Sequence, residues 1–281
     1  MMRVPILDNH VHLHPQGRNV EAARDFAKAG GTHLILSHLP YETVRVTEAE
    51  HFLESYEITL RLAESVRREV GIGVDVTVGP YPVLLIGLAE KHGLSHAVEI
   101  MKGGMESAKE LVLQGKAVGI GEIGRPHFPV SEDVLAASNE IMGFGMSLAK
   151  EAGCAVVLHT ESATPDSMLE IALMADRVGL PRHRVVKHYC PPLVTEMENS
   201  GLFPSVLASR TAIGEALSKG TRFMMETDYL DDLKRPGAVM AITTVPKRTN
   251  ALLQSGALDE EKAHIIHSEN PKKAYGIDIK Y

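Results

Sequence analysis

Short apolar runs alternate with longer amphipathic segments along this chain, and this rhythm constrains the fold more than any other feature. The runs are rich in Val, Ile and Leu and nearly continuous, as expected for parallel strands that are covered on both faces. Eight of them occur, at residues 4–13, 32–39, 73–82, 117–124, 155–160, 184–189, 203–208 and 223–230. Eight strands that alternate with helices predict βαβ units closed into a (β/α)8 TIM barrel, which typically needs about 250 residues.

The segments between the runs carry the start and stop signals of helices. Ser131, which is followed by acidic residues, is typical of a helix start, and Gly71 ends a long amphipathic stretch. Helices are expected over residues 19–31, 48–71, 131–153, 164–180 and 211–220.

Two further stretches predict more elaborate helical structure. Residues 84–115 are too long for one ordinary helix and contain several glycines, so two or three helical pieces are expected there. We interpret them as an elaborated helical layer, with a partial lid or an oligomer surface as alternatives. Residues 259–277 predict two helices, with Pro271 near the start of the second. His264 and His267 in this stretch are expected to be structural or exposed.

The chain shows no linker that divides it, so a single domain over residues 1–281 is expected. No apolar run is long enough to span a bilayer. The N-terminal MMRVPILDNH lacks the apolar centre and the cleavage site of a secretory signal. We therefore expect a cytoplasmic protein with no membrane partner, while its oligomeric state stays open.

Charge and cysteine content argue against some classes of site. The net charge is -7 and no dense basic run occurs, which argues against tight binding of long duplex DNA, where Lys and Arg contacts to phosphate dominate affinity. A small molecule or the end of a nucleic-acid strand stays open as substrate. Neither of the 2 cysteines lies in a CxxC pair. Cys154 is interpreted as a buried hydrophobe, and Cys190 as a residue that could line the barrel mouth.

Six candidate metal ligands stand near the ends of the apolar runs. They are His10, His12, Glu122, His159, His188 and Asp228. A parallel barrel brings the carboxyl ends of its strands together at one mouth. There, four imidazoles and two carboxylates can hold two divalent cations, whereas any one His taken alone would be interpreted as a core or surface histidine.

Spacing on the presumed strands supports this set. His10 and His12 are two residues apart, so both point to the same face of a strand. Asp8 shares that face one step deeper, where it can support a ligand from behind. Glu122 lies in GIGEIG, whose glycines leave room for close approach, and one carboxylate can bridge two cations. The alternative for Glu122 is a buried side chain with an ion-pair partner.

Asp228 lies on the last presumed strand, which neighbours the first in a closed barrel. It is therefore expected to be a ligand beside His10 and His12 and to accept a proton from bound water. Asp228 and Glu122 are the expected catalytic residues. Glu226 shares the face of Asp228 but lies deeper and is expected to support a ligand. The ligand mixture does not choose among zinc, manganese and magnesium.

Together these residues resemble the TatD family of metal-dependent hydrolases, within the amidohydrolase superfamily. The matching motifs are DNHVHL, GEIG, LHT, the KH pair of RVVKHY, ETD and ENPKKAYGI, in family order from Asp8 to about Gly276. The resemblance implies a (β/α)8 barrel, a two-cation site and hydrolytic activity. It also implies that His10, His12 and Asp228 bind one metal, that His159 and His188 bind the other, and that Glu122 bridges them.

The chain also departs from the family pattern. Family members commonly have Asp after GEIG and after the HxHL start, where this chain has Arg125 and His14. The usual His-Pro after the third strand is replaced within VGPYP. The substrate walls are therefore expected to differ.

Three functions compete. The first is a phosphoesterase or nuclease in which a hydroxide that bridges the two cations attacks phosphorus. Arg125, Lys187 and Arg210 are cations near strand ends, and Arg125 is the candidate for contacting phosphate, with a rim salt bridge as its alternative. The second is an amidohydrolase-type enzyme that cleaves a C–N or lactone bond in a small metabolite. The third, a non-catalytic metal scaffold, is disfavoured by the complete ligand set.

Overall fold

A ring of parallel strands forms the centre of the protein, and the computed structural model describes it over residues 4–279. The strands are β1 (Leu7–His12), β2 (His33–Ser37), β3 (Gly73–Val78), β4 (Gly119–Gly124), β5 (Ala155–His159), β6 (Val185–Cys190), β7 (Phe203–Leu207), β8 (Met224–Glu226) and β9 (Tyr229–Leu230). Every neighbouring pair in the order β8-β7-β6-β5-β4-β3-β2-β1-β9 is parallel. Each predicted apolar run contains a strand.

The ring closes through one short segment of chain. Strands β8 and β9 are consecutive pieces of that segment, yet β8 pairs with β7 while β9 pairs with β1. Between them, the backbone N–H of Thr227 donates to Asp8 Oδ1 at 2.9 Å, and the Thr227 hydroxyl donates to Asp8 Oδ2 at 2.7 Å. This closure confirms the predicted (β/α)8 barrel.

Helices surround the ring. They are α1 (Val20–Lys28), α2 (His51–Val70), α3 (Leu84–His92), α4 (Leu94–Leu113), α5 (Glu132–Ala152), α6 (Pro165–Val178), α7 (Glu196–Asn199), α8 (Arg210–Lys219), α9 (Thr244–Ser255), α10 (Glu260–His264) and α11 (Asn270–Tyr275), with a π-helical turn at Ile265–Glu269. All the predicted helices are present. Helices α7 and α9 are not among the predicted segments. Pro246 lies in the first turn of α9, where a proline removes no intrahelical hydrogen bond.

The long segment 84–115 forms two helices, as the sequence predicts. The break falls at Gly93, which has φ 80°, whereas Gly104 lies inside α4. A Cβ at Gly104 would collide with the ring of Phe52 on α2, so glycine here allows the two helices to approach closely. The segment packs against α2 and α5 and is part of the helical layer.

The barrel interior is apolar below the mouth. Leu7, Ile35, Val157, Val186 and Phe203 fill it and belong to one buried cluster. Apolar side chains at the bottom and polar ones at the top confine the chemistry to the carboxyl ends of the strands. Both cysteines are buried. None of the helices described within residues 4–279 is long and apolar enough to cross a membrane.

Candidate metal centre

All six predicted ligands lie at the carboxyl-terminal mouth of the barrel. His10 and His12 are on β1, Glu122 on β4, His159 at the end of β5, His188 on β6, and Asp228 between β8 and β9. Asp228 has φ 48°, a left-handed conformation that Asp tolerates better than most residues. The carboxylate therefore stands at the point where the barrel closes.

One group of ligand atoms forms around β1. The Nε2 atoms of His10 and His12 are 3.1 Å apart, and His10 Nε2 lies 3.3 Å from Glu122 Oε1. Asp228 Oδ1 lies 3.5 Å from His12 Nε2. Two imidazoles and two carboxylates thus face one point.

A second group shares Glu122 Oε1 with the first, and the rings of His10 and His188 stack at 4.0 Å between centroids. His188 Nε2 is 2.8 Å from Glu122 Oε1, and His159 Nδ1 is 3.3 Å from the same oxygen. The two imidazole nitrogens are 3.3 Å apart. Glu122 is therefore the one carboxylate common to the two groups.

The donor set fits divalent cations. Glu122 is buried, and within residues 4–279 its recorded ion-pair partners are all imidazoles rather than Lys or Arg. A buried carboxylate among imidazoles is a suitable environment for a metal such as zinc or manganese.

The outer ring nitrogens of three imidazoles already have partners. His10 Nδ1 lies 3.1 Å from Ser37 Oγ, His12 Nδ1 lies 3.1 Å from the Ser37 carbonyl, and His188 Nδ1 lies 3.3 Å from Glu226 Oε1. Such contacts fix ring orientation and direct the inner nitrogens toward a cation.

Pairing between imidazoles and carboxylates dominates the electrostatics of the site. Burial alone would lower the pKa of His188, but the carboxylates of Glu122 and Glu226 raise it to about 10. Burial would raise the pKa of Asp228, but His12 and the other imidazoles lower it to about 2. The pKa of Glu122 is likewise held well below its usual range, against its burial, by His188 and His10. Cation binding at His188 is therefore expected to release a proton.

Two deeper carboxylates support the site. Glu226 accepts from the backbone N–H of Tyr189 at 2.6 Å and from the hydroxyl of Ser205, which fixes it behind His188. Burial raises the pKa of Asp8 to about 8, although its hydrogen bonds with Thr227 oppose this shift. Glu226 lies behind His188, as the sequence predicts. The contacts of Asp8 are with Thr227 and the His10 backbone, and its support of a ligand stays a prediction.

A cavity of about 700 Å³ opens above the ligands. Its floor includes His12, Glu122 and Asp228, and its walls include several side chains that sequence reasoning missed. Among these are Tyr81, His127 and Arg235. They lie in loops beyond strand ends, where no periodic signal marks them. Their only sequence signal is proximity to ligand motifs, and His127 is the clearest case because it follows GEIG by three residues.

His127 contacts a candidate ligand directly. Its Nδ1 lies 2.9 Å from His159 Nε2, while His159 Nδ1 faces Glu122. His159 therefore has an imidazole partner behind it, in the way that His188 has Glu226.

The partners of Arg125 are side chains that do not line the cavity. It is 5% exposed, and its guanidinium donates to Asn139 Oδ1 at 2.6 Å, to Glu161 Oε1 at 3.1 Å and to Glu170. It is not among the cavity-lining residues. The ion-pair alternative is what the structure shows, and contact of Arg125 with a phosphate stays a prediction.

The other two cations considered from the sequence also lie outside the cavity lining. Lys187 is buried, burial lowers its pKa, and its Nζ donates to the His188 carbonyl at 2.6 Å. Arg210 is exposed at the start of α8. Cys190 is buried and does not line the cavity either.

Comparisons with known proteins agree with the fold and the ligand motifs. The family model described as TatD related DNase matches residues 7–276, which include all six candidate ligands. The uncharacterized protein MJ1127 of Methanocaldococcus jannaschii is 41% identical over 280 residues, covering 98% of this chain and 97% of that protein.

Solved structures share the architecture at low sequence identity. A phosphotriesterase homology protein from Escherichia coli, complexed with phosphate in its active site, has a TM-score of 0.64 and 16% identity over 98% of this chain and 100% of its own. A mutant of a Deinococcus radiodurans PTE-like lactonase has a TM-score of 0.66 and 13% identity over 97% of this chain and 96% of its own. At these identities the likeness concerns the fold.

Proposed function

The chain belongs to the family of TatD-related DNases and is a metal-dependent hydrolase, and from this premise we propose that it cleaves phosphoester bonds, as a phosphodiesterase or a nuclease acting on strand ends. The observation that carries the proposal is the placement of Glu122 between two imidazole groups, with Asp228 beside one of them at the floor of an open cavity. This arrangement is suited to two cations, which phosphoryl transfer uses to stabilise attacking and leaving oxygens.

In the proposed site, His10, His12 and Asp228 would hold one divalent cation, and Glu122 would be shared with a second. His159 and His188 hold the other. When bound, the cations supply Lewis acidity, which activates water and neutralises charge on the phosphoryl group. Zinc, manganese and magnesium all remain candidates.

Asp228 is the proposed proton acceptor. Its side chain is 15% exposed and lines the cavity, so it reaches the space in which water and substrate meet. An ionised carboxylate in this position can accept a proton from the attacking water.

The cavity shape and the overall charge favour small or single-stranded substrates. A space of about 700 Å³ is in the range of ordinary small-ligand sites, and the net charge of -7 disfavours the many phosphate contacts of long duplex DNA. We therefore propose phosphate esters and short single strands as substrates in preference to duplex DNA.

The alternative is an amidohydrolase-type enzyme that cleaves a C–N or lactone bond. Its support is the fold that the chain shares with a PTE-like lactonase and the apolar share of the cavity wall, which includes Leu39, Leu230 and Val239. The same water would attack a carbonyl carbon instead of phosphorus.

A substrate panel separates the two. Protein reconstituted with zinc, manganese or magnesium is offered phosphomonoesters, phosphodiesters, short single-stranded DNA, lactones and N-acyl amino acids. Asp228→Asn protein, purified identically, controls for contaminating hydrolases. Phosphodiester hydrolysis that is lost in the variant supports the proposal. Turnover of lactones or amides without any phosphoester turnover replaces it with the alternative.

A further inference from the structure

The cavity above the candidate ligands has a polar floor and a largely apolar wall, with one cation at its rim. The cation is Arg235, an exposed residue of the loop that joins β9 to α9. Ala238 and Val239 of the same loop contribute to the apolar wall. An exposed arginine at the mouth of this cavity is hydrated, and it can exchange that water for a bound anion.

The backbone that carries Arg235 is held in place. Asp232 Oδ1 accepts from the backbone N–H groups of Lys234 at 2.6 Å and Arg235 at 2.9 Å. The N–H of Gly237 donates to the Leu230 carbonyl at 2.8 Å. The base of the loop is fixed by Asp231, whose carboxylate accepts from backbone N–H groups of the β1–α1 loop. The loop therefore presents Arg235 from a folded turn.

The guanidinium of Arg235 interacts electrostatically with Asp232 without forming an ion pair. Within residues 4–279 no ion pair or side-chain hydrogen bond is recorded for it, in contrast with the occupied donors of Arg125 and Lys187. Its five N–H donors suit phosphate or carboxylate oxygens.

We propose that Arg235 binds a second anionic group of the substrate, one that lies beyond the bond that is cleaved. The reacting phosphoryl group belongs on the floor, beside Glu122 and Asp228. Arg235 follows Asp228 by seven residues and lies at the rim of the same cavity. A substrate that reaches both carries two anionic groups, as a phosphorylated nucleotide or the last two linkages of a strand would. This inference rests on the proposed phosphodiesterase function.

Two chromogenic substrates that differ in one group test this inference. Thymidine 5′-(p-nitrophenyl phosphate) carries only the scissile phosphodiester, and its 3′-phosphorylated analogue adds the second anion. Wild-type metal-loaded protein is expected to prefer the 3′-phosphorylated substrate by about 10-fold or more in kcat/KM, mainly through KM, since charge-assisted hydrogen bonds have this magnitude.

Substitutions test whether the preference for the 3′-phosphorylated substrate depends on Arg235. Arg235→Ala is expected to abolish it, and Arg235→Lys to keep part of it, because lysine supplies charge without the planar donor array. Lys234→Ala is the matched control, since it removes the same charge from the adjacent exposed residue, which is not part of the cavity lining. It should leave the preference unchanged.

A binding measurement keeps the inference testable apart from turnover. Calorimetry of metal-loaded protein should show tighter binding of thymidine 3′,5′-bisphosphate than of thymidine 5′-monophosphate, and Arg235→Ala should remove the difference. Equal binding of the two by wild-type protein, or an unchanged difference in Arg235→Ala, overturns the role of Arg235. A retained difference in binding with no hydrolysis of either chromogenic substrate contradicts the proposed function and leaves Arg235 as an anion-binding residue.

Discussion

At the residue scale, Asp228 lies both beside the candidate ligand His12 and in the lining of the cavity. Replacing it with Asn preserves its size but removes the proton acceptor, so turnover is expected to fall by at least about 10²-fold, the usual contribution of general acid–base groups. Steady-state kinetics on the best substrate of the panel measures this, and circular dichroism verifies the fold. Wild-type rates in Asp228→Asn protein would remove this residue from the mechanism.

Glu122 and His159 make a contrasting pair of substitutions. Glu122 Oε1 lies 3.3 Å from His10 Nε2 and 2.8 Å from His188 Nε2, one imidazole from each group. Glu122→Gln is therefore expected to weaken both cations together, whereas His159→Ala should weaken mainly one. Calorimetric titration with zinc or manganese, together with elemental analysis, separates the two patterns. Loss of a single cation in Glu122→Gln protein would contradict the bridge.

The gathering of the candidate ligands at the barrel mouth could be predicted from the sequence, while the residues of the cavity walls could not. Only a few residue types bind metals, and only strand ends place side chains at the barrel mouth. His10, His12 and Glu122 meet both conditions in the sequence. Arg235 meets neither condition, because the path of a loop depends on its contacts with other elements. Arg125 follows Gly124, which has φ 135°, and the chain there turns its side chain toward Glu170.

At the element scale, the β9–α9 loop depends on one buried carboxylate. Asp231 is 1% exposed and accepts from the backbone N–H groups of His14, Arg18 and Asn19, at 3.2, 2.9 and 2.8 Å, and from the Tyr229 hydroxyl. It thereby joins the loops that follow β1 and β9.

Asp231→Ala is expected to lower the free energy of unfolding by roughly 2–4 kcal/mol, because it leaves several donors without their acceptor. Urea denaturation followed by circular dichroism measures the change. Asp176→Ala is the control, since that carboxylate is exposed and pairs with Arg182 at the surface, and it should change stability little. Equal effects of the two substitutions would show that Asp231 is not the anchor.

Most elements follow from local pattern, and the exceptions have tertiary causes. Gly104 resembles a helix break in sequence but lies within α4, because Phe52 occupies the place of a Cβ. The final strand is interrupted at Thr227 and Asp228, where hydrogen bonding to Asp8 replaces regular pairing. Neither contact is visible without the neighbouring element.

At the scale of the whole molecule, His267 links the C-terminal helices to the barrel. It is buried, with Nδ1 3.1 Å from the Leu7 carbonyl and Nε2 2.9 Å from Thr249 Oγ1. This is the structural role that the sequence predicts. Burial lowers its pKa from 6.5 to about 4.

The shift at His267 predicts acid sensitivity. Between pH 6.5 and 4 the unfolded chain binds a proton at His267 that the folded chain does not, so stability falls as the pH falls through this window. The contribution is about 3 kcal/mol when fully lost, from the linkage relation. Denaturation of wild-type and His267→Gln protein across this range should give a shallower pH dependence for the variant. Parallel curves would contradict the assignment.

The segment between β8 and β9 closes the barrel, and hydrolytic activity is expected to depend on that closure. Asp8 and Thr227 are separated by 219 positions in the chain, and their contact joins the first strand to the last. Contacts between such distant positions carry a high entropic cost before they form. Asp228 follows Thr227 directly, so we expect a partly assembled barrel to hold the imidazoles without the proposed catalytic carboxylate. The recovery of hydrolysis during refolding would thus follow closure of the barrel, and a chain that has not closed the barrel would not hydrolyse substrate.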